Sequence, residues 1–421
     1  MKWNYIKFGD LYAINSRNGL TKPSRVRGNG YKMINMGELF ANDRIYDIPM
    51  ELVPLNDTEK INAKVEVGDL LFARQSLALE GAGKCSIVLE VSPLTVFESH
   101  LIRVRLVNKA NSMFYYYYFR SQLSPIKSIV SQCAQAGIRG SDLQELCIPF
   151  PSKESQDKIA SILEKYDDLI ENNQKQIKLL EEAAQRLYKE WFVDFRFPGY
   201  ENAKFIDGIP EGWRKEPICN IVSYEIGGGW GEDYLKEQND KPAFVIRGTD
   251  LHGITHGDIL SIPYRYHTQS NLASRILQDG DIVFEVSGGS KTEGVARTLL
   301  IRKELLEIYG SPVMCASFCK LIRLVDNSLS QYMYNTLQYL RLSGKTSEFD
   351  KKSASSIVNY RWKDFLSQQD VLIPPLTIIE AYNRLAECYY YKIINQSKMI
   401  ECLKNARDRL LPKLMSGEIE V

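Results

Sequence analysis

The sequence lacks any hydrophobic run long enough to cross a membrane, and its cysteines show no organised spacing. A spanning helix needs about eighteen apolar residues or more, and no stretch of the 421 residues approaches that length. The first residues, Met1-Lys2-Trp3, do not open a secretory signal. The eight cysteines form neither a disulfide framework nor a zinc pattern, so Cys315 and Cys319 are expected to be reduced core thiols. These features predict a cytoplasmic protein without membrane contact.

The residue patterns that usually carry catalysis are also missing. The sequence has no Asn-Pro-Pro-Tyr or Asp-Pro-Pro-Tyr stretch and no Walker A motif, and the glycine-rich EIGGGWGEDY (225–234) lacks the strand-GxGxxG-helix setting of a nucleotide site. The histidines have neither metal-ligand nor nucleophile spacing; they are His100, His252, His256 and His267. We therefore expect no catalytic residue, no metal ligand and no cofactor site in this chain.

Positive charge is concentrated locally rather than spread over the chain. The formal net charge of +1 argues against non-specific coating of nucleic acid. The segment NSRNGLTKPSRVRGNGYK (15–32) is nevertheless basic, and no acidic residue occurs between Asp10 and Glu38. Its glycines, proline and asparagines predict a loop, which can follow a groove and donate hydrogen bonds to phosphates. The candidate DNA contacts in it are Lys22, Arg25, Arg27 and Lys32; a solvated surface loop is the alternative.

A heptad pattern of apolar residues marks a helix about forty residues long in the middle of the chain. The repeating positions are Ile159, Leu163, Tyr166, Ile170, Ile177, Leu180, Ala184, Leu187 and Trp191, with the polar Asn173 at one of them. Such a seam requires a partner helix to bury it. A helix of forty residues is roughly 60 Å long.

The partner appears because the second half of the sequence repeats the first. VGDLLF (67–72) recurs as DGDIVF (279–284), and RLV (105–107) recurs as RLV (323–325). A shift of 223 residues then aligns the long helix with a second one near the C-terminus. The residues predicted to pair the helices are Ile170, Asn173, Ile177, Leu180, Ile393, Gln396, Ile400 and Leu403.

Two polar features interrupt these seams. Asn173 and Gln396 occupy equivalent positions, and a buried amide pair can fix helix register; two polar residues at a frayed seam are the equally weighted alternative. Arg407 interrupts the second seam, which is therefore the weaker of the two.

Loops that follow strands in each copy supply further candidate DNA contacts. In the second copy Arg247, Thr249 and Asp250 suit a guanine edge, a phosphate and a cytosine edge respectively. The other candidates are donor-rich side chains in the loops ARQSLALEGAGK (73–84) and EVSGGSKTEGVAR (285–297). They are Arg74, Gln75, Ser76 and Lys84 in the first copy, and Ser287, Ser290, Lys291 and Arg297 in the second.

The predicted fold is α+β, with two similar, mostly β domains alternating with two long antiparallel coiled-coil helices in a pseudo-two-fold repeat. The predicted segments are 1–150, 151–194, 195–374 and 375–421, which are a domain, a helix, a linker with the second domain, and the second helix. Half-sites on one face of DNA recur every ~34–36 Å, so two such domains can act as a ruler. From geometry alone, a scaffold that joins two proteins is an equal alternative.

The whole chain resembles the specificity subunit of type I DNA restriction–modification enzymes. The resemblance is carried by IPFPSKESQDKIASILEKYDDLIENNQKQI, LYKEWFVDFRFPG, LLPKLMSGEIEV, GIPEGWRKEPI and GDIVFEVSGGSKTEGVAR. The chain departs from the family at the second junction, where Ile379-Glu380 replaces the usual Glu-Gln and leaves the exact start of the helix open.

The resemblance implies a non-catalytic chain in which each target-recognition domain reads one half of a bipartite site in double-stranded DNA. It also implies that the helices space the halves and dock two modification (methyltransferase) subunits, which restriction subunits join. S-adenosylmethionine is then bound by the modification subunit and not by this chain. The alternatives are a coiled-coil protein scaffold and an orphan or anti-restriction protein of the same fold.

Overall fold

Contacts between residues divide the chain into two units, and the division falls within two long helices. The computed structural model describes residues 3–132, 136–288, 294–352 and 358–421. The first unit comprises Met1–Asp168 with Lys404–Val421, and the second comprises Leu169–Leu403. Each unit thus includes parts of both helices. The segments predicted from the sequence, in contrast, assign each helix to a segment of its own. The boundaries of the recognition domains stay predictions.

Short strands and short helices build most of the first unit. Its strands are β1 (Asn4–Lys7), β2 (Tyr12–Asn18), β3 (Tyr31–Ile34), β4 (Arg44–Ile45), β5 (Glu51–Val53), β6 (Leu70–Ala73), β7 (Gln75–Ser76), β8 (Cys85–Val88), β9 (Val96–Phe97), β10 (Leu101–Leu106), β11 (Ser131–Gln132), β12 (Ala136–Gly137) and β13 (Cys147–Phe150). Its helices are α1 (Met36–Ala41), α2 (Asp57–Asn62), α3 (Ser112–Arg120), α4 (Gly140–Gln144) and the start of the long helix α5 (Lys153–Phe192). The sheet orders are β2-β10-β6-β8-β4, β5-β3-β9, β11-β12-β7 and β1-β13.

The core of the first unit lies around the five-stranded sheet and the aromatic helix α3. All four residues of β6 are buried, as expected for a strand covered on both faces. Helix α3 begins after Asn111, whose side chain accepts a hydrogen bond from the amide of Phe114 at 3.0 Å. The hydroxyl of Tyr115 donates to the carbonyl of Pro149 at 3.1 Å, so burial of the ring leaves no unpaired polar group there.

The second unit has the same kinds of elements. Its strands are β14 (Phe205–Ile206), β15 (Ile209–Pro210), β16 (Arg214–Pro217), β17 (Val222–Gly227), β18 (Lys241–Ile246), β19 (Tyr264–His267), β20 (Ile282–Glu285), β21 (Ser287–Gly288), β22 (Thr298–Leu300), β23 (Val313–Cys315), β24 (Cys319–Leu324), β25 (Asp350–Lys352), β26 (Val358–Tyr360) and β27 (Asp370–Ile373). Its helices are α6 (Asp250–Thr255), α7 (Gln269–Arg275), α8 (Lys303–Tyr309), α9 (Ser330–Leu342), α10 (Trp362–Gln368) and most of α11 (Leu376–Ser416). The sheet orders are β17-β24-β20-β22, β19-β18-β23, β21-β26-β25, β16-β27 and β14-β15.

The two long helices run antiparallel within the second unit. Gln176 of α5 contacts Gln396 of α11, and further along α5 the ring of Trp191 lies 5.9 Å from that of Tyr382. The numbering thus rises along one helix as it falls along the other. In the first unit both helices contribute to one core, through Ile159, Leu163, Leu414 and Met415.

Aromatic rings attach the helices to the rest of the second unit. The ring centroid of Phe192 in α5 lies 4.7 Å from that of Tyr332 in α9 and 4.8 Å from that of Tyr382 in α11. Aromatic pairs at these separations contribute beyond their buried area. The end of α5 is therefore part of the domain core.

The mixed α/β composition and the two long helices predicted from sequence are confirmed. Cys315 and Cys319 are buried free thiols, as predicted, and burial raises the pKa of Cys315 to about 12. Among the helices that the structure describes, none combines the length and the apolar character required to cross a bilayer.

Candidate nucleic-acid interface

The basic loop of the first unit carries cations that are largely held in ion pairs. The pairs are Lys22–Glu59 at 2.8 Å, Arg27–Glu51 at 2.6 Å and Lys32–Asp47 at 2.7 Å. Arg25, by contrast, is exposed on the turn Ser24–Val26. The loop is therefore less positive than its composition predicts, because three of its cations lie beside carboxylates from elsewhere in the unit.

These ion pairs also act on the carboxylates. The hydrogen bond from Lys22 lowers the pKa of Glu59, and the hydrogen bond from Lys32 lowers the pKa of Asp47. Both acids thus stay ionised at neutral pH. A DNA phosphate that binds this loop has to compete with them for the cations.

The predicted loop tip of the first unit is held by the small sheet β11-β12-β7. Gln75 and Ser76 form β7, and the amide of Arg74 donates to the carbonyl of His100 at 2.8 Å. Gly81 allows the loop to fold closely on itself, because a Cβ there would lie 2.3 Å from the hydroxyl oxygen of Ser76. Gln75 and Ser76 thus lie in a short strand directly after Arg74 rather than in an open loop, and their predicted DNA contacts stay predictions.

Lys84 and Arg297, which are aligned by the repeat, both occupy ion pairs. Lys84 lies 3.0 Å from Asp43, and Arg297 lies 2.6 Å from Glu285. The carboxylate of Glu285 is buried, so it needs the cation beside it. A base contact by Arg297 would require Glu285 to lose this partner, and the predicted DNA roles of both cations stay predictions.

Arg247 and Asp250 form one ion pair rather than two side chains that are each available to contact a base. The guanidinium donates to both carboxylate oxygens of Asp250 at 2.7 to 3.1 Å, and Asp250 is buried. These hydrogen bonds raise the pKa of Arg247 and orient its half-exposed side chain. The predicted contact of Asp250 with a cytosine requires the pair to separate. Thr249, beside them, is exposed.

Ser287 lies at the start of β21, where its hydroxyl donates to the side-chain oxygen of Asn359 at 2.9 Å. Strand β26 pairs with β21 at this position. The other two candidates in this loop, Ser290 and Lys291, lie outside the described residues.

Two residues that the sequence analysis did not single out lie beside these loops. His100 places its Nδ1 atom 2.8 Å from the amide oxygen of Gln75, and the exposed Phe318 accepts a hydrogen bond from the amide of Ser287 at 3.2 Å through its carbonyl. The repeat contains a signal for these two positions. The shift that aligns RLV at 105–107 with RLV at 323–325 also aligns His100 with Phe318, so the two residues are predicted to occupy equivalent places.

Comparisons with known proteins relate the sequence of this chain to a protein family. Residues 1–182 match the family described as the type I restriction modification DNA specificity domain. A type I restriction enzyme specificity subunit of Methanocaldococcus jannaschii, MjaIX, is 28% identical over 332 residues, which are 74% of this chain and 69% of that protein. A putative type I specificity subunit of the same organism, MjaX, is 24% identical over 435 aligned residues, which cover 100% of this chain and 94% of that protein.

This chain is thus similar to type I specificity subunits. The fold agrees, because the crystal structure of a type I specificity subunit from M. genitalium aligns with 98% of this chain and 96% of its own, with a TM-score of 0.53 and 15% identity.

The predicted heptad seam is filled by apolar side chains in the second unit. Ile170, Ile177 and Ile400 form a buried cluster, against which Ile393 and Leu403 pack. Five of the eight residues predicted to pair the helices thus lie in or against this cluster. The sixth apolar one, Leu180, is half-buried and lies outside this cluster.

The two seam amides do not form the pair that their equivalent positions suggest. Asn173 donates to the carbonyl of Leu169 at 2.6 Å, within its own helix. Gln396 donates to the side-chain oxygen of Gln176 at 2.6 Å. The antiparallel register places Gln396 level with Gln176 rather than with Asn173, so the proposed amide pair is wrong.

Proposed function

We propose that this chain is the non-catalytic DNA-recognition subunit of a type I restriction–modification complex, in which two recognition domains each read one half of a bipartite target. The match of residues 1–182 to the DNA specificity domain carries the proposal. The relative that aligns along 100% of this chain extends the likeness to its second half.

The strand orders of the two units support the idea of two copies of one recognition domain. The order β2-β10-β6-β8 in the first unit corresponds to β17-β24-β20-β22 in the second, and β5-β3-β9 corresponds to β19-β18-β23. In each of the latter sheets the central strand has one antiparallel and one parallel neighbour. The small sheets that hold the candidate loops, β11-β12-β7 and β25-β26-β21, also correspond.

The candidate loops carry the chemistry that duplex DNA requires. The exposed Arg25, the half-buried Arg74 and the oriented guanidinium of Arg247 supply donors for phosphates or guanine edges. The carboxylates that pair with Lys22, Arg27 and Lys32 reduce attraction to DNA of any sequence. Binding through these cations releases counterions, so we expect affinity to fall steeply with salt.

The long helices are proposed to space the two half-sites and to bind two modification subunits, which restriction subunits then join. Exposed apolar side chains on the two helices are available for a protein contact. They are Leu169, Leu179, Leu385, Tyr391 and Met399. S-adenosylmethionine is proposed to bind to the modification subunit.

The test is to purify the full chain in complex with the modification subunit of its own host and to map the methylated sites in a randomised duplex library. The proposal predicts one bipartite site with a fixed gap and strongly salt-dependent binding. A complex that binds no DNA would indicate a protein scaffold. A chain that binds the modification subunit but directs no methylation would indicate an anti-restriction protein. Either result contradicts the proposed function.

A further inference from the structure

The turn before β10 presents a histidine directly beside the candidate loop of the first unit. The carbonyl of His100 accepts a hydrogen bond from the amide of Arg74 at 2.8 Å, which fixes the turn to the loop backbone. The side chain of His100 is exposed, and its Nδ1 atom lies 2.8 Å from Oε1 of Gln75. The two side chains therefore reach the surface as a connected pair.

This hydrogen bond determines which atoms the pair can offer to a ligand. An amide oxygen can only accept, so the hydrogen lies on Nδ1 of His100. With the hydrogen on Nδ1, the neutral form of the ring has Nε2 as an acceptor, while the Nε2 amide group of Gln75 keeps two hydrogens to donate. Glutamine alone would read adenine with both ends of its amide. Here one lone pair of that oxygen accepts from His100, and Nε2 of His100 supplies a further acceptor beside the amide donor.

A donor beside an acceptor is complementary to one purine and not to the other. In the major groove adenine presents the acceptor N7 and the donor N6 amino group, whereas guanine presents the two acceptors N7 and O6. Against guanine, Nε2 of His100 would face an acceptor with its own lone pair. The pair thus favours adenine.

The second unit places a different side chain at the equivalent point. The carbonyl of Phe318 accepts from the amides of Val286 at 2.9 Å and Ser287 at 3.2 Å, as the carbonyl of His100 accepts from Arg74. The repeat aligns Gln75 with Ser287. The ring of Phe318 is 55% exposed although it is apolar, and an exposed ring suits contact with a thymine methyl group. The two units thus share the backbone hydrogen bonds at this turn but differ in the side chain that the turn exposes.

We propose that this turn position is a specificity-determining position in both recognition domains, with His100 and Gln75 together reading an adenine in the first half-site. Phe318 correspondingly contacts a thymine methyl group in the second. The inference rests on the proposed function and adds to it two residues and the base class that each reads.

The experiment exchanges the side chains at positions 100 and 318 in the full chain bound to its modification subunit. The methylated sites are then mapped in a randomised duplex library. His100→Phe is expected to reduce the adenine preference at one position of one half-site by about tenfold or more. Gln75→Ala should weaken the same position. Phe318→His should change one position of the other half-site. Tyr5→Ala, an exposed residue on β1 away from the loop, is the matched control and should leave the site unchanged.

The outcomes separate this inference from the function on which it rests. If the wild-type complex methylates a bipartite site and His100→Phe and Gln75→Ala both leave that site unchanged, the inference is overturned and the function stands. If the two substitutions affect different positions, the pair does not act as one reader and the inference is overturned. If the wild-type complex selects no sequence at all, both are overturned. Melting temperatures of all variants confirm that each still folds.

Discussion

Arg407 of helix α11 donates a hydrogen bond to Asp167 of helix α5 across 2.5 Å, and the hydroxyl of Tyr117 donates to the same carboxylate at 2.7 Å. Asp167 is buried, and both of its oxygens are engaged. Burial alone would lower the pKa of Arg407, but the hydrogen bond and charge of Asp167 raise it. The residue that interrupts the apolar seam is thus an ion-pair partner within the first unit.

Removing this carboxylate should strongly destabilise the first unit. Asp167→Ala leaves the partly buried guanidinium of Arg407 and the hydroxyl of Tyr117 without their shared acceptor, so we expect a loss of about 3 kcal/mol or more in the free energy of unfolding. Urea denaturation measures it. The control is Glu154→Ala, which breaks the exposed pair with Lys158 and should change stability by about 1 kcal/mol at most. Equal effects of the two substitutions would contradict the prediction.

The helix seam of the second unit offers a comparison within one helix. Ile177 is fully buried, whereas Leu179 is 64% exposed two residues away. Ile177→Asp would bury an unpaired charge and should destabilise the protein by several kcal/mol, or force the helices apart. Leu179→Asp should have little effect on stability. Thermal unfolding of both variants decides this, and wild-type melting of Ile177→Asp would show that the seam is not packed as described.

Glu181 should make the second unit less stable as the pH rises. Its carboxyl group lies 3.2 Å from Nε2 of His256, and the Nδ1 atom of that ring bonds to the carbonyl of His252 at 2.8 Å. Nε2 is an acceptor in the neutral ring, and burial lowers the pKa of His256, which favours that neutral form. Burial raises the pKa of Glu181 from 4.5 to about 7, so the folded chain retains a proton that the unfolded chain releases.

Stability should therefore fall between about pH 4.5 and pH 7, by up to about 3 kcal/mol, because each pH unit between the two pKa values corresponds to about 1.4 kcal/mol. Glu181→Gln should remove this dependence and raise stability at pH 8. The neighbouring Glu182→Gln, on an exposed side chain, should leave the pH profile unchanged. Urea midpoints at pH 5, 6, 7 and 8 measure both, and identical profiles for the two variants would disprove the assignment.

The loop cations should divide their effects between the two half-sites. Arg25→Ala, Arg27→Ala and Arg74→Ala should alter or weaken recognition of one half of the target only, while Arg247→Ala and Lys291→Ala should affect the other half. The gap should stay the same in every case. Sequencing of methylated DNA from cells that carry each variant is the measurement. A substitution in one domain that changes both halves would contradict the division of recognition.

The long helices and the mixed α/β fold could be predicted because their signals are local. The heptad spacing around Ile170 and Ile177 is visible in the sequence, and the repeat identified its partner helix. Register could not be predicted in the same way. Asn173 and Gln396 are equivalent in sequence, but two antiparallel helices bring together residues that are not equivalent, so Gln396 meets Gln176.

The candidate site was harder to predict because its neighbours are distant in sequence. The carboxylate of Glu59 that neutralises Lys22 lies 37 residues away, and nothing in the basic loop indicates it. The pairing of Arg247 with Asp250 was within reach, since the two are three residues apart. The repeat aligns His100 with Phe318, but the contact of His100 with Gln75 depends on the folded turn and could not be predicted from the sequence.

Lengthening the long helices tests whether they set the spacing of the half-sites, and the insertion has to avoid the domain cores. Residues 192–200 lie outside the heptad seam, but Phe192 and Phe197 are buried in the core of the second unit. An insertion in this segment would therefore disturb that core. A suitable place is the level at which Gln176 and Gln396 meet, with four residues added to each helix so that the antiparallel pairing continues on both sides.

The proposed function makes this chain a ruler between two DNA half-sites, and the gap in the methylated target reports the distance that it sets. Four added residues lengthen a helix by about 6 Å, and base pairs rise by about 3.4 Å each. Sequencing of DNA methylated by the complex should therefore show both half-site sequences unchanged and the gap between them longer by about one or two base pairs. A folded insertion variant that still methylates the original spacing would contradict the account.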